Sequence, residues 1–146
     1  MVEMNLKYLG NLNVEARHEP SGKIIRTAAP VDNQGDGSSF SPTDLLSTSL
    51  AACILTIMGI KSKDRLIDLE GSTVKLRKHM GVEPRRISQL ELEFHLPKGL
   101  AEDEQSFLKE TARTCPVCES ISSSIELDYQ FIFDVGDLTT KTQVTS

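Results

Sequence analysis

Ser41-Pro42-Thr43-Asp44-Leu45-Leu46-Ser47-Thr48-Ser49-Leu50-Ala51-Ala52-Cys53-Ile54-Leu55-Thr56-Ile57-Met58-Gly59-Ile60 is the segment around which the rest of the chain is arranged. Ser41 is a favoured N-cap, because its hydroxyl accepts from a first-turn amide that has no helical partner. Pro42 suits the first helical position, where its missing N–H leaves nothing unpaired, and Asp44 stands where a carboxylate reaches back to the cap amide. From Leu45 to Ile60 no side chain is charged. Apolar or small residues occur on every face, so the pattern predicts one long helix enclosed by protein. Cys53 lies midway along it. A single thiol in such a helix reads first as packing, since free cysteine is among the most buried residue types.

Outward from this helix, alternation gives strands. On the N-terminal side, Val2, Met4, Leu6 and Tyr8 alternate with Glu3, Asn5 and Lys7. Leu12, Val14 and Ala16 form a second run that ends at Glu19-Pro20-Ser21-Gly22, and Lys23 to Thr27 forms a third. These predict an antiparallel meander. The following loop, 28 to 39, contains Gly35 and Gly37 but lacks the strand and helix that flank a phosphate-binding loop. On the C-terminal side, Thr73 to Met80 and Ile87 to Leu96 alternate, the second with Leu90, Leu92, Phe94 and Leu96 on one face and Gln89, Glu91, Glu93 and His95 on the other. Ala101 to Thr114 returns to helical spacing, with Glu102, Asp103 and Glu104 at the positive end of the helix dipole. Cys115 then caps a short helix begun by Pro116, and Ile125 to Val135 predicts a last strand. Without a regular βαβ alternation, the class is a mostly antiparallel α+β fold.

At 146 residues, the chain reads as a single domain over 1–135 with a polar tail at 136–146. Its net charge of -5 argues against a nucleic-acid partner, because phosphate binding needs a basic footprint. No basic and apolar leader opens the sequence, and Leu45 to Ile60 is short for a membrane span, so the expected location is the cytoplasm, away from membranes. Three cysteines in a reducing compartment point to redox, metal or packing roles rather than a disulfide framework.

Cys115-Pro116-Val117-Cys118 is the most conspicuous motif. A thiol at a helix N-terminus faces unpaired amides, which lower its pKa. The motif reads as a redox pair or as half of a metal site. Only Cys53, His18, His79 and His95 remain to complete a tetrahedron, and they are scattered along the chain. Each histidine reads more simply as a polar strand or turn residue.

The segment Phe40-Ser41-Pro42-Thr43-Asp44-Leu45-Leu46 running to Ala51-Ala52-Cys53, followed by Cys115-Pro116-Val117 and then Ile125-Glu126-Leu127-Asp128-Tyr129-Gln130, resembles the OsmC/Ohr family of bacterial organic hydroperoxide reductases. The resemblance implies an OsmC-like fold and an interlocked homodimer with its thiols in pockets at the subunit interface. It implies that Cys53 attacks the peroxide, that Cys115 resolves the sulfenic acid as a Cys53–Cys115 disulfide, and that an external dithiol, of lipoyl type or on a lipoylated protein, restores the pair. No bound cofactor or metal is implied. The family supports its thiolate with an arginine paired to a glutamate that follows the helix-starting proline; here that position is Thr43. Asp44 falls on roughly the opposite helix face from Cys53 at about 100° per residue, so capping is its expected work. Arg26 is the expected cation and Arg17 the alternative, while Cys118 is an additional thiol. Two other readings stay open: a non-catalytic dimer that binds a small ligand in its cleft, and a metal site at Cys115 and Cys118.

Overall fold

The computed structural model describes residues 1–136. The tail expected at 136–146 therefore lies outside the described residues beyond Gly136. Contacts divide the chain into two compact units, Met1–Leu46 and Ser47 onward.

The first unit is the predicted meander. Strands β1 (Met4–Gly10), β2 (Asn13–His18) and β3 (Ile24–Ala28) form an antiparallel sheet in that order. The register sets Leu6 opposite Ala16 and Ala16 opposite Ile25, so Met4, Leu6, Tyr8, Ala16 and Ile25 share one face. That face is largely uncovered: Met4 is 54% exposed, Leu6 67%, Tyr8 63% and Ile25 49%. In the following loop the amide of Gly35 donates to Pro30 O at 2.9 Å, and that of Gly37 donates to Ala29 O at 3.1 Å. A Cβ at Gly35 would fall 1.8 Å from Ala29 O, so this glycine is required by close backbone approach and not by a bound phosphate.

Helix α1 (Pro42–Ser62) starts as its cap predicts. The Asp44 amide donates to Ser41 Oγ at 3.0 Å, and the Ser41 amide donates to Asp44 Oδ2 at 2.9 Å. Two otherwise unpaired donors are thereby satisfied reciprocally. By length and composition the helical stretch Pro42–Arg65 is sufficient to cross a membrane. It is nonetheless amphipathic in its surroundings: Ser47, Leu50, Ala51, Ile54, Met58 and Ser62 are buried, whereas Leu46 and Ile60 are 41% and 55% exposed. The expectation of enclosure on every face is thus corrected for the single chain, which covers one side of the helix only.

The second unit carries the core. Strands β4 (Thr73–Val82), β5 (Arg85–Pro97) and β6 (Glu126–Val135) form a sheet in that order. β4 and β5 are antiparallel, but β5 and β6 run parallel, joined through α2 (Glu102–Thr111) and α3 (Pro116–Ser120). A parallel pair needs such a crossover, which the two helices supply. The fold is the expected mostly antiparallel α+β class, with this pair as its exception. The inward face of β5, Leu90, Leu92, Phe94 and Leu96, is at most 1% exposed and shares one apolar cluster with Leu50, Ile54, Met58, Leu108 and Cys115. Each large apolar side chain so enclosed stabilises the unit by about 1.5–3 kcal/mol.

Candidate functional site

Cys115 is the N-cap of α3, with Pro116 at the first helical position. Its sulfur accepts from the Cys118 amide at 3.2 Å, and its thiol donates to Cys118 Sγ at 2.9 Å. Both contacts follow from the Cys-Pro-Val-Cys spacing, because one helical turn returns the fourth residue to the cap. Cys115 is fully buried, whereas Cys118 and Cys53 are half-buried. Cys53 projects from the middle of α1 and packs against the same core cluster.

The acidity of Cys115 corrects the expectation from its position. Burial pushes the thiol from an ordinary 9.0 up to about 12, and the hydrogen bond that the thiol donates to Cys118 Sγ adds to this. The Cys118 amide opposes the shift, and the nearby Cys53 thiol raises it further. A helix of five residues offers one amide to the sulfur, and that does not offset the loss of water around it. At neutral pH Cys115 is a thiol.

On the other side of Cys118 stands Tyr129 of β6, its hydroxyl 3.7 Å from Cys118 Sγ. Its ring stacks with Phe94 and Phe131 at 6.2 Å each, and the Arg113 guanidinium lies 5.1 Å above it. Burial first, and then the Cys118 thiol, raise the phenol above its ordinary 10.0, so Tyr129 keeps its proton. A cavity of about 500 Å³ opens beside this group, lined by Arg113, Cys118, Ile121, Ile125, Leu127 and Tyr129 among others. Cys118 is the thiol that faces it. Arg113 and Tyr129 escaped the sequence reading. Arg113 is two positions from Cys115 and could have been flagged by proximity, whereas Tyr129 reaches Cys118 only through strand placement.

Among the expected residues, Cys115 contacts Cys118 directly, and Cys53, in the same core cluster, is near enough to bear on the acidity of Cys115. Arg26 lies exposed on β3 of the first unit, opposite Glu15, and Arg17 on β2 pairs with Glu19 at 3.4 Å. In the unit that holds the thiols, the guanidinium lining the cavity beside Cys118 is that of Arg113. Thr43, at the position of the family's glutamate, has its hydroxyl 3.1 Å from Ser41 Oγ. Asp44 performs the capping expected of it.

The histidines are engaged elsewhere: His18 with Ser21, His79 with Glu91, and His95 with both Glu93 and Asp134. Among the described residues, no group of three or more His, Cys, Asp or Glu side chains is disposed to hold a metal ion.

No curated protein matches the chain. Among solved structures, a Psychrobacter arcticus protein named for osmotic stress induction and detoxification response is 44% identical, with a TM-score of 0.86 over 90% of this chain and 96% of that one. An organic hydroperoxide resistance protein OsmC from Legionella pneumophila, 18% identical, has a TM-score of 0.72 over 90% and 96% of the two chains. An organic hydroperoxide resistance protein from Elizabethkingia anophelis, 16% identical, gives 0.72 over 92% and 96%. The last two establish likeness of fold. The model of the OsmC-like protein family matches residues 35–130, a span that contains all three cysteines, and the chain belongs to that family.

Proposed function

We propose that the protein is a thiol-dependent peroxidase that reduces organic or other hydroperoxides in the cytoplasm and so serves peroxide resistance. The observation that carries this reading is that Cys53 packs against the same core cluster as the buried Cys115 and bears on its acidity. Of these two sulfurs, one fully enclosed as a thiol and one half-buried, the half-buried Cys53 is the attacking group. Its thiolate displaces alkoxide from the peroxide and becomes a sulfenic acid. The Cys115 sulfur then attacks that sulfenic sulfur, water leaves, and a Cys53–Cys115 disulfide forms. Two electrons from an external dithiol, of lipoyl type in this reading, restore both thiols. The names of the hydroperoxide-resistance relatives agree with this role.

The working form is an interlocked homodimer. Its support is the uncovered apolar face of β1 to β3, together with the exposed Leu46 and Ile60 of α1. Apolar surface of this extent on a soluble chain marks a protein interface. Arg26 enters the proposal only as the cation expected from the sequence.

Purified protein is expected to consume tert-butyl or cumene hydroperoxide when supplied with a dithiol, and Cys53→Ser is expected to abolish the reaction. Unchanged turnover in that variant eliminates the mechanism. A second reading, a dimer that binds a small ligand with Cys53 as cavity wall, draws on Thr43 standing in place of the family's glutamate. It predicts slow labelling of Cys53 across neutral pH and no disulfide after peroxide.

A further inference from the structure

The Cys115 sulfur is common to two pairs. It lies 2.9 Å from Cys118 Sγ, and Cys53 packs against the same core cluster near enough to bear on its acidity. Only about 0.9 Å of approach separates the first pair from a bonded length of about 2.05 Å. Cys115 is sealed from solvent, and Cys118 is the member of that pair that lines the 500 Å³ cavity. A reductant held in the cavity therefore meets Cys118, and the disulfide assigned above to Cys53 and Cys115 ends in a sulfur that the reductant cannot touch from there.

We propose that Cys118 is a third redox thiol that relays the disulfide outward: it exchanges with the Cys53–Cys115 bond, and the resulting Cys115–Cys118 disulfide is the form reduced by an external dithiol in the Arg113, Tyr129 and Ile125 cavity. The relay rests on the peroxidase reading. Cys118 gives up its proton to solvent in the cavity, and its thiolate attacks Cys115 Sγ. The Cys115–Cys118 bond forms as the Cys53–Cys115 bond breaks, and Cys53 leaves as a thiolate. The step is an isomerisation with no net electron transfer, so it needs no added oxidant.

The surroundings of Cys118 suit this work. The Tyr129 hydroxyl, which keeps its proton, lies 3.7 Å from the sulfur, and Arg113 brings positive charge to the same cavity. The released Cys53 is free to meet a second peroxide before any reductant arrives. A reduced protein without dithiol then consumes two peroxides per chain, the first ending as the Cys115–Cys118 disulfide and the second as a sulfenic acid on Cys53.

The test is a time course on full-length reduced protein given one equivalent of cumene hydroperoxide, quenched with N-ethylmaleimide and mapped by peptide mass spectrometry. A Cys53–Cys115 species should form first and decay into Cys115–Cys118 as Cys53 becomes alkylatable again. In Cys118→Ser the first species should persist, and steady-state reduction by dithiothreitol should slow by at least ~10-fold, because the reductant must then reach a less accessible bond. A wild-type Cys53–Cys115 bond that persists with Cys118 alkylatable, or a direct Cys53–Cys118 bond, overturns the relay while leaving peroxide reduction intact. Every thiol still alkylatable after peroxide, three in the wild type and two in Cys118→Ser, overturns the peroxidase reading and the relay with it.

Discussion

The reactivity of Cys115 against pH follows from its enclosure and can be worked through. The thiol is raised from 9.0 to about 12, a difference of three decades in acidity. At pH 8 an ordinary cysteine of pKa 9.0 is thiolate in roughly one molecule in ten, and Cys115 in roughly one in ten thousand. Only the thiolate is alkylated at a useful rate, so iodoacetamide should label Cys115 of the native protein at least ~1,000-fold more slowly than a small thiol of ordinary pKa. Full burial makes that factor a lower bound. Labelling read residue by residue by mass spectrometry should rise about tenfold per pH unit through the alkaline range without levelling off below pH 10. Because burial is the largest cause and the Cys118 thiol the next, Cys118→Ala should lower the profile yet leave it above the ordinary position. Labelling of Cys115 at pH 8 within ~10-fold of the free thiol, or an ordinary profile in Cys118→Ala, would refute the argument from burial.

Ser41→Ala removes one half of a reciprocal cap whose serine is 2% exposed, so the protein should lose about 1–2 kcal/mol, read as a lower denaturant midpoint at unchanged slope. His95 is raised above its ordinary 6.5 by its bond to Glu93 and then by Asp134, while Glu93 is lowered from 4.5 by His95. The contribution of His95 is complete below 6.5 and is lost as pH rises through its folded value, and that of Glu93 is complete above 4.5 and is lost as pH falls through its folded value. The cluster therefore stabilises most between about pH 4.5 and 6.5, and denaturation of His95→Gln beside wild type should show the gap narrowing outside that window. Leu6→Glu places a charge at a residue 67% exposed in the single chain, on the apolar face assigned to the dimer. It should shift the protein to monomer by sedimentation, and a dimer of undiminished affinity would relocate the interface.

What the sequence disclosed and what it withheld divide along physical lines. The start of α1 was readable because a cap, a first-turn proline and a carboxylate three residues from the cap act within one turn. The inward face of β5 was readable because period-two alternation depends on no partner. The parallel pairing of β5 with β6 was not, since either neighbour satisfies the same alternation and only the crossover through α2 and α3 sets the direction. The one-sided cover of α1 was hidden by a helix apolar all round, a pattern that does not say whether the cover comes from its own chain or a partner. At the thiols, the Cys-Pro-Val-Cys turn gave the contact between Cys115 and Cys118, but helix position alone gave the wrong direction for the acidity of Cys115. Burial, which comes from α1 and the β4–β6 sheet, decides it. Tyr129 and Arg113 join the site through strand placement and ring stacking, neither of which a motif encodes.

Whether Cys53 is the sulfur that meets the oxidant is settled by trapping its first product. In the double variant Cys115→Ser, Cys118→Ser no thiol remains to resolve a sulfenic acid. One equivalent of cumene hydroperoxide followed by dimedone should leave a stoichiometric adduct on Cys53, and an unmodified Cys53 with the peroxide still present would contradict the account.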